Sequence, residues 1–179
     1  MRVFEPTIEP GYEWINCEHP TDYEVFGSFD GTPKKPTWRP IAVKRVRADK
    51  KHDFKASDFP WIGSDALIMR RAAVDALHDF LEANGEVLPL TTTDGIELFV
   101  LNAQVIDCLD LPNSSVMFVP GTSRIMHIKK AVFIASAIGS ADIFRLPHRG
   151  SVTYVSERFV ERVKSSGLVG LAFKMVWSD

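Results

Sequence analysis

The clearest periodic pattern lies between residues 70 and 83. Ala73, Val74, Leu77, Phe80 and Leu81 recur at helical spacing, while Arg71, Asp75, His78, Asp79 and Glu82 line the opposite face. The pattern predicts one amphipathic helix over 70–83, ended by Asn84-Gly85 in a left-handed cap. Glu86–Leu90 then returns as a strand. From Ile96 onward the pattern is mostly that of strands. Ile96–Leu101, Gln104–Leu109, Val116–Val119 and Arg124–Ile134 are rich in β-branched and aromatic residues. Thr93-Asp94-Gly95, Leu111-Pro112-Asn113 and Pro120-Gly121 supply turns between them. This is the pattern of a meandering antiparallel sheet, with Val116–Val119 and Ala131–Ala135 as buried strands. Ser136–Ser140 reads as one helical turn and Asp142–Leu146 as a further strand.

The last segment resembles an earlier one at a shift of 86 residues. Val152–Val155 followed by Ser156–Ser166 aligns with Ala66–Met69 followed by Arg70–Ala83, so that Val155 falls on Met69, Val160 on Val74 and Val163 on Leu77. Each copy is a short strand, an amphipathic helix ended by a glycine (Gly85, Gly167) and a returning strand. Ser156 is a good N-cap with Glu157 in the first turn, where the helix dipole favours a carboxylate. Arg70 is a poor cap. The alignment places the first helix start near Arg70 rather than at Ser64.

The first 60 residues read differently. Seven of the eleven prolines fall here, which disfavours long helices. Met1–Phe4 is a candidate strand, and Asp30-Gly31 carries turn chemistry. The aromatics Trp14, Tyr23, Phe26, Phe29, Trp38, Phe54 and Phe59 are too many for a disordered arm. The expectation is a loop-rich, ordered lobe over 1–60 on an α+β core over 61–179. The whole chain is read as one domain: a mostly antiparallel sheet flanked by a few helices.

With 179 residues, 45% of them apolar and 25% charged, the chain can bury a core without staples. Its 21 basic and 23 acidic residues leave a net charge of −2, which gives no global argument for nucleic acid or an acidic membrane. The start has no secretory h-region and no apolar run spans a bilayer, so the expected location is cytoplasmic. Cys17 and Cys108 are then free, reduced thiols.

Chemistry-bearing constellations are sparse. Cys17-Glu18-His19 has ligand-type side chains but no second ligand pair, so it reads as a turn rather than a metal site. His78, between Asp75 and Glu82, reads as a solvated helix face. His127 falls on a strand face with Ile125 and Lys129, and His148 and Arg149 fall in a loop. No nucleophile elbow, P-loop or zincin motif occurs. No metal and no cofactor is expected. Ile41–Lys55 carries Lys44, Arg45, Arg47, Lys50, Lys51 and Lys55 against Asp49 and Asp53. It reads as a lysine-rich edge strand in preference to a nucleic-acid patch, since it lacks interleaved aromatics.

A series of phrases, in order, resembles one family. They are Asp58-Phe59-Pro60, Asn84-Gly85-Glu86-Val87-Leu88-Pro89-Leu90, Phe99-Val100-Leu101-Asn102 and Val105-Ile106-Asp107-Cys108-Leu109-Asp110. Asp142-Ile143-Phe144-Arg145-Leu146-Pro147, Ser156-Glu157-Arg158-Phe159-Val160 and Gly167-Leu168-Val169-Gly170-Leu171-Ala172-Phe173 complete the series. The chain, from about Asp58 to its end, resembles the bacterial polymorphic-toxin immunity proteins of family eleven. Arg70 departs from the serine-type helix start of that family. The resemblance implies a non-enzymatic inhibitor that binds a cognate toxin, encoded by a neighbouring gene and acting in the cytosol. No membrane partner is implied, and nucleic acid is disfavoured. It carries over no fixed binding residues. Trp38 and Trp61 in the proline-rich loops, with Lys44, Arg45 and Arg47, are the candidate partner-binding residues. For either tryptophan a core position is the competing reading. Two alternatives stand beside the inhibitor: a small enzyme using His78, His127 or His148, and a nucleic-acid module using Lys44–Lys55.

Overall fold

In the computed structural model, which describes residues 1–148 and 150–179, two sheets share a layer of helices between them. The four-stranded sheet is ordered β11-β1-β10-β9, from Leu171–Ser178, Arg2–Ile8, Tyr154–Ser156 and Ile143–Phe144. The five-stranded sheet is ordered β2-β3-β5-β6-β4, from Trp14–Cys17, Ala42–Val46, Gly85–Thr92, Leu98–Ala103 and Ile68–Arg70. A separate two-stranded ribbon pairs β7 (Ser115–Phe118) with β8 (Ile125–Lys130). The helices are α1 (Tyr23–Gly27), α2 (Arg71–Ala76), α3 (His78–Asn84), α4 (Ala135–Ile138) and α5 (Glu157–Ser165). The α+β class expected from the sequence is the one observed.

Strand periodicity sorts the apolar residues into three clusters. On β4 and β6, Met69, Phe99 and Leu101 face the helices, while Ile68, Leu98 and Val100 face the opposite side. Successive residues of the four-stranded sheet divide in the same way. Val155 and Ile143 meet the helices, and Tyr154, Phe144 and Val3 form an outer cluster with Phe133 and Cys108. Because both faces of β6 are covered, all six of its residues are buried.

The 86-residue alignment extends to the hydrogen-bond register. Strand β4, its helix start and β5 occupy 68–70, 71 and 85–92; β10, α5 and β11 occupy 154–156, 157 and 171–178. Phe99 of β6 lies between Met69 and Pro89, and Phe4 of β1 lies between Val155 and Met175. Each unit is therefore a strand–helix–strand with an antiparallel strand between its two strands. That middle strand follows the unit in one copy (β6) and comes from the N-terminus in the other (β1). The helices of the two copies meet through Phe80 and Phe159, with ring centroids 5.9 Å apart. Arg162 donates to both carboxylate oxygens of Asp79 at 3.0 Å.

Several expectations are corrected. The 70–83 helix breaks at Leu77 into α2 and α3. Its end is not a left-handed cap: Gly85 is extended (φ 166°) and passes directly into β5. Glycine is required there because a Cβ would lie 2.5 Å from the Asn102 carbonyl oxygen of the paired strand. The segment 42–46 is not an edge strand, since β2 pairs with one side of it; on the other side only Ala42 and Val43 meet β5, in parallel. Residues 104–109 make isolated bridges rather than a strand. There is no single meander: β6, the ribbon and β9 to β11 belong to three different sheets. Val116–Phe118 is exposed or half-buried rather than core, and 131–134 lies outside any strand. The expected strand at Met1–Phe4 runs on to Ile8. It passes through Pro6 where only β11, and not β10, pairs with it, so the missing N–H is tolerated.

Candidate functional site

The residues singled out in the N-terminal lobe do not form one patch. Trp38 is tilted against Phe29, 5.9 Å away, and its indole N–H donates to the Pro89 carbonyl at 2.8 Å. It packs on the outer cluster of the five-stranded sheet. Trp61 packs on the helix-side cluster instead, and its carbonyl accepts from the Ile15 N–H at 2.8 Å. Both indoles are half-buried.

On β3, pairing with β2 turns Val43 inward and Lys44 outward. Lys44 and Arg47 are exposed. The Arg45 side chain is only 8% exposed and is engaged within the protein. Its Nη1 donates to Glu13 at 2.9 Å, and its Nε donates to Asp94 at 2.8 Å. Glu13 is itself fully buried. It also accepts from Arg70 Nη2 and, at 3.2 Å, from the Ser57 N–H. Two guanidinium groups and two carboxylates thus balance inside the fold. Arg45 and Arg70 tie β2, β3 and β4 together, so of the three basic candidates only Lys44 and Arg47 present free charge to a partner.

The histidines are dispersed. His78 pairs with Glu82 at 3.4 Å on the surface of α3, and His127 is exposed on β8. His148 lines a cavity of about 420 Å³ with Phe29, Val105 and Pro147. Burial, and then the charge of Arg145, hold its pKa below the ordinary value. The expectation for Arg149 lies outside the described residues. Among those described, no three or more His, Cys, Asp or Glu side chains converge as metal ligands would. Cys17 and Cys108 are buried free thiols, pushed up to about 11 first by burial and then by nearby Asp side chains. No helix among the described residues is long and apolar enough to cross a membrane.

A further unpaired surface lies where the sequence patterns predict a buried strand. The β7–β8 ribbon stands apart from both main sheets, and among the described residues neither of its outer edges pairs with another strand. Two register irregularities twist it, between Ser115 and Val116 and between Met117 and Phe118. Its base is anchored: Ser114 Oγ accepts from the Val132 N–H at 2.9 Å, Leu109 bridges Phe133, and Ile128 packs on the outer cluster. Beyond that base, Met117, Phe118 and Met126 point outward, with Met126 55% exposed. Together with Leu111 and Ile134 they make up five of the nine large apolar side chains exposed among the described residues. A groove of about 600 Å³ separates the ribbon from α1, with Tyr23 and Glu24 on one wall and Val119, Arg124, Ile125 and Met126 on the other. The sequence signal for this surface is a charge asymmetry. Residues 111–141 contain Arg124, Lys129 and Lys130, and no Asp or Glu.

Comparison with known families matches residues 97–178 to the model described as Immunity protein family (Imm11). The matched segment runs from β6 through β11 and contains the whole ribbon; the phrases before residue 97 lie outside it. No curated protein matches the chain.

Proposed function

From the premise that residues 97–178 match the Imm11 immunity proteins, we propose that this chain is an immunity protein: a non-enzymatic inhibitor that binds and neutralises a cognate bacterial toxin acting in the cytosol. The family match is the observation that carries this reading. On it, the toxin is encoded beside this gene and the inhibitor works in the cytoplasm of the same cell. The full chain is the binding unit. The matched segment depends on what precedes it, because β6 is held between β4 and β5, while β10 and β11 both pair with β1. His78 on α3, His127 on β8 and His148 in the connection after β9 lie on separate segments, which favours an inhibitor over the enzymatic alternative. The tie between Arg45 and its carboxylates weakens the nucleic-acid alternative at 44–55.

The test is growth of cells induced to express the toxin's C-terminal domain, with and without this chain. Restored growth supports the reading. Undiminished killing in cells that contain the folded chain contradicts it.

A further inference from the structure

We propose that the β7–β8 ribbon, with the α1 groove beside it, is the surface that docks the toxin, and that it fits a protein face whose apolar centre is ringed by carboxylates. This rests on the immunity reading and adds the place and the chemistry of the contact.

Three observations converge on the ribbon. Three of its exposed side chains, Met117, Phe118 and Met126, are large and apolar, with Tyr23 across the groove. Clustered exposure of this kind marks a surface that another molecule covers. Thioether side chains also adapt their shape, which suits an inhibitor that must fit one particular partner. Its charge runs against that of the chain. The protein carries a net −2, yet the whole of 111–141 has three formal cations and no carboxylate. Within the groove Glu24, on the α1 wall, is the only carboxylate among the described lining residues. A partner surface rich in Asp and Glu is thus attracted to this segment, which steers association. Finally, the ribbon projects from an anchored base, so it can enter a concave site without disturbing either main sheet.

The same features decide between occupants. A second copy seated symmetrically on the groove would bring Arg124 against its own equivalent, which disfavours self-association. A nucleic acid would call for a denser row of cations interleaved with stacking aromatics, and Phe118 is the ribbon's single aromatic.

The experiment measures binding of the 179-residue chain to the purified C-terminal domain of the toxin encoded beside it, at low and at physiological salt. Four proteins are compared: wild type, Met126→Asp, the triple variant Arg124→Glu/Lys129→Glu/Lys130→Glu, and the control Lys164→Glu/Lys174→Glu, exposed on other elements. All altered positions on the ribbon are exposed, and circular dichroism with thermal melting verifies the fold of each protein. Met126→Asp is expected to weaken binding at least tenfold. The triple variant is expected to slow association at least tenfold at low salt, and less at physiological salt. The control is expected to stay within about twofold. Wild-type affinity in both ribbon variants overturns the surface assignment and leaves the immunity reading intact. Wild type that fails to bind the toxin domain overturns the immunity reading and the assignment with it. A wild-type dimer abolished by Met126→Asp, or single-stranded RNA binding abolished by the triple variant, with toxin affinity unchanged in either case, assigns the ribbon to a different occupant and overturns the proposal.

Discussion

Removing Glu13 should be among the most damaging single changes in the chain. The carboxylate is 1% exposed and accepts from Arg45, from Arg70 and from the Ser57 N–H. Glu13→Ala leaves both guanidinium groups short of a counter-charge in a poorly solvated place. Breaking a buried ion pair from one side costs about 3–5 kcal/mol. Two features of the site temper that figure. Arg45 keeps Asp94, and the Arg70 side chain is 20% exposed and can turn toward water. The Ser57 N–H, in contrast, loses its acceptor in a buried position, which costs about 1–3 kcal/mol. Together these give about 3–5 kcal/mol for Glu13→Ala, a large share of the ~5–15 kcal/mol that stabilises a typical domain. Asp94→Ala removes the outer, one-third-exposed carboxylate from the same network and should cost only about 1 kcal/mol or less. Urea unfolding monitored by tryptophan fluorescence measures both. At about 2 kcal/mol per molar urea, Glu13→Ala should lower the midpoint by ~1.5–2.5 M and Asp94→Ala by ~0.5 M or less. The double variant Glu13→Ala/Arg70→Ala should lose less than the two single losses combined, because the second change removes the orphaned charge. Equal small losses for Glu13→Ala and Asp94→Ala would refute the claim that the buried carboxylate organises β2, β3 and β4.

Gly170→Ala should destabilise by more than ~1 kcal/mol, because φ is +95° and the added Cβ would lie 1.9 Å from Ser57 Oγ; thermal melting checks this. With thiol pKa values pushed up to about 11, Cys17 and Cys108 should resist a thiol reagent at pH 8 in the native protein and react together on unfolding; prompt labelling of either would contradict their burial. The folded state holds the His148 pKa below its ordinary value, through burial and then Arg145. The unfolded chain therefore takes up that proton first, from about pH 6.5 downward. Stability from this group is full above that pH and is lost as the pH falls through the lowered folded value. His148→Gln should flatten that part of the stability–pH curve, as read by denaturation at stepped pH.

What the sequence reveals here follows from how local each feature is. The strand–helix boundary at Arg70–Arg71 and its equivalent at Ser156–Glu157 were legible, because capping and helical spacing act within one turn. The place of β1 was not. Its partners are Ser156, Val155 and the strand 171–178, and no short-range pattern records a pairing across the full length of the chain. The break at Leu77 was hidden as well, since the apolar stripe continues through it into α3. Arg45 looked like a free surface charge because its partners, Glu13 and Asp94, are 32 and 49 residues away. The ribbon was misread for a related reason. A β-branched and aromatic run implies a strand but does not say whether anything covers it, and Val116–Phe118 projects beyond the outer cluster. The family resemblance survives this better than the site residues do, because it rests on the order of many short phrases rather than on any one contact.

The most direct test of the immunity reading is a stoichiometry and affinity measurement on purified proteins. The chain is mixed with the C-terminal domain of the toxin that the immunity reading places beside its gene, sized by light scattering after gel filtration, and titrated by calorimetry. A discrete complex of fixed stoichiometry, in which the toxin's activity falls in step with occupancy, is the predicted result. Two separate peaks, no heat of binding and undiminished toxin activity, with both proteins folded, would contradict it.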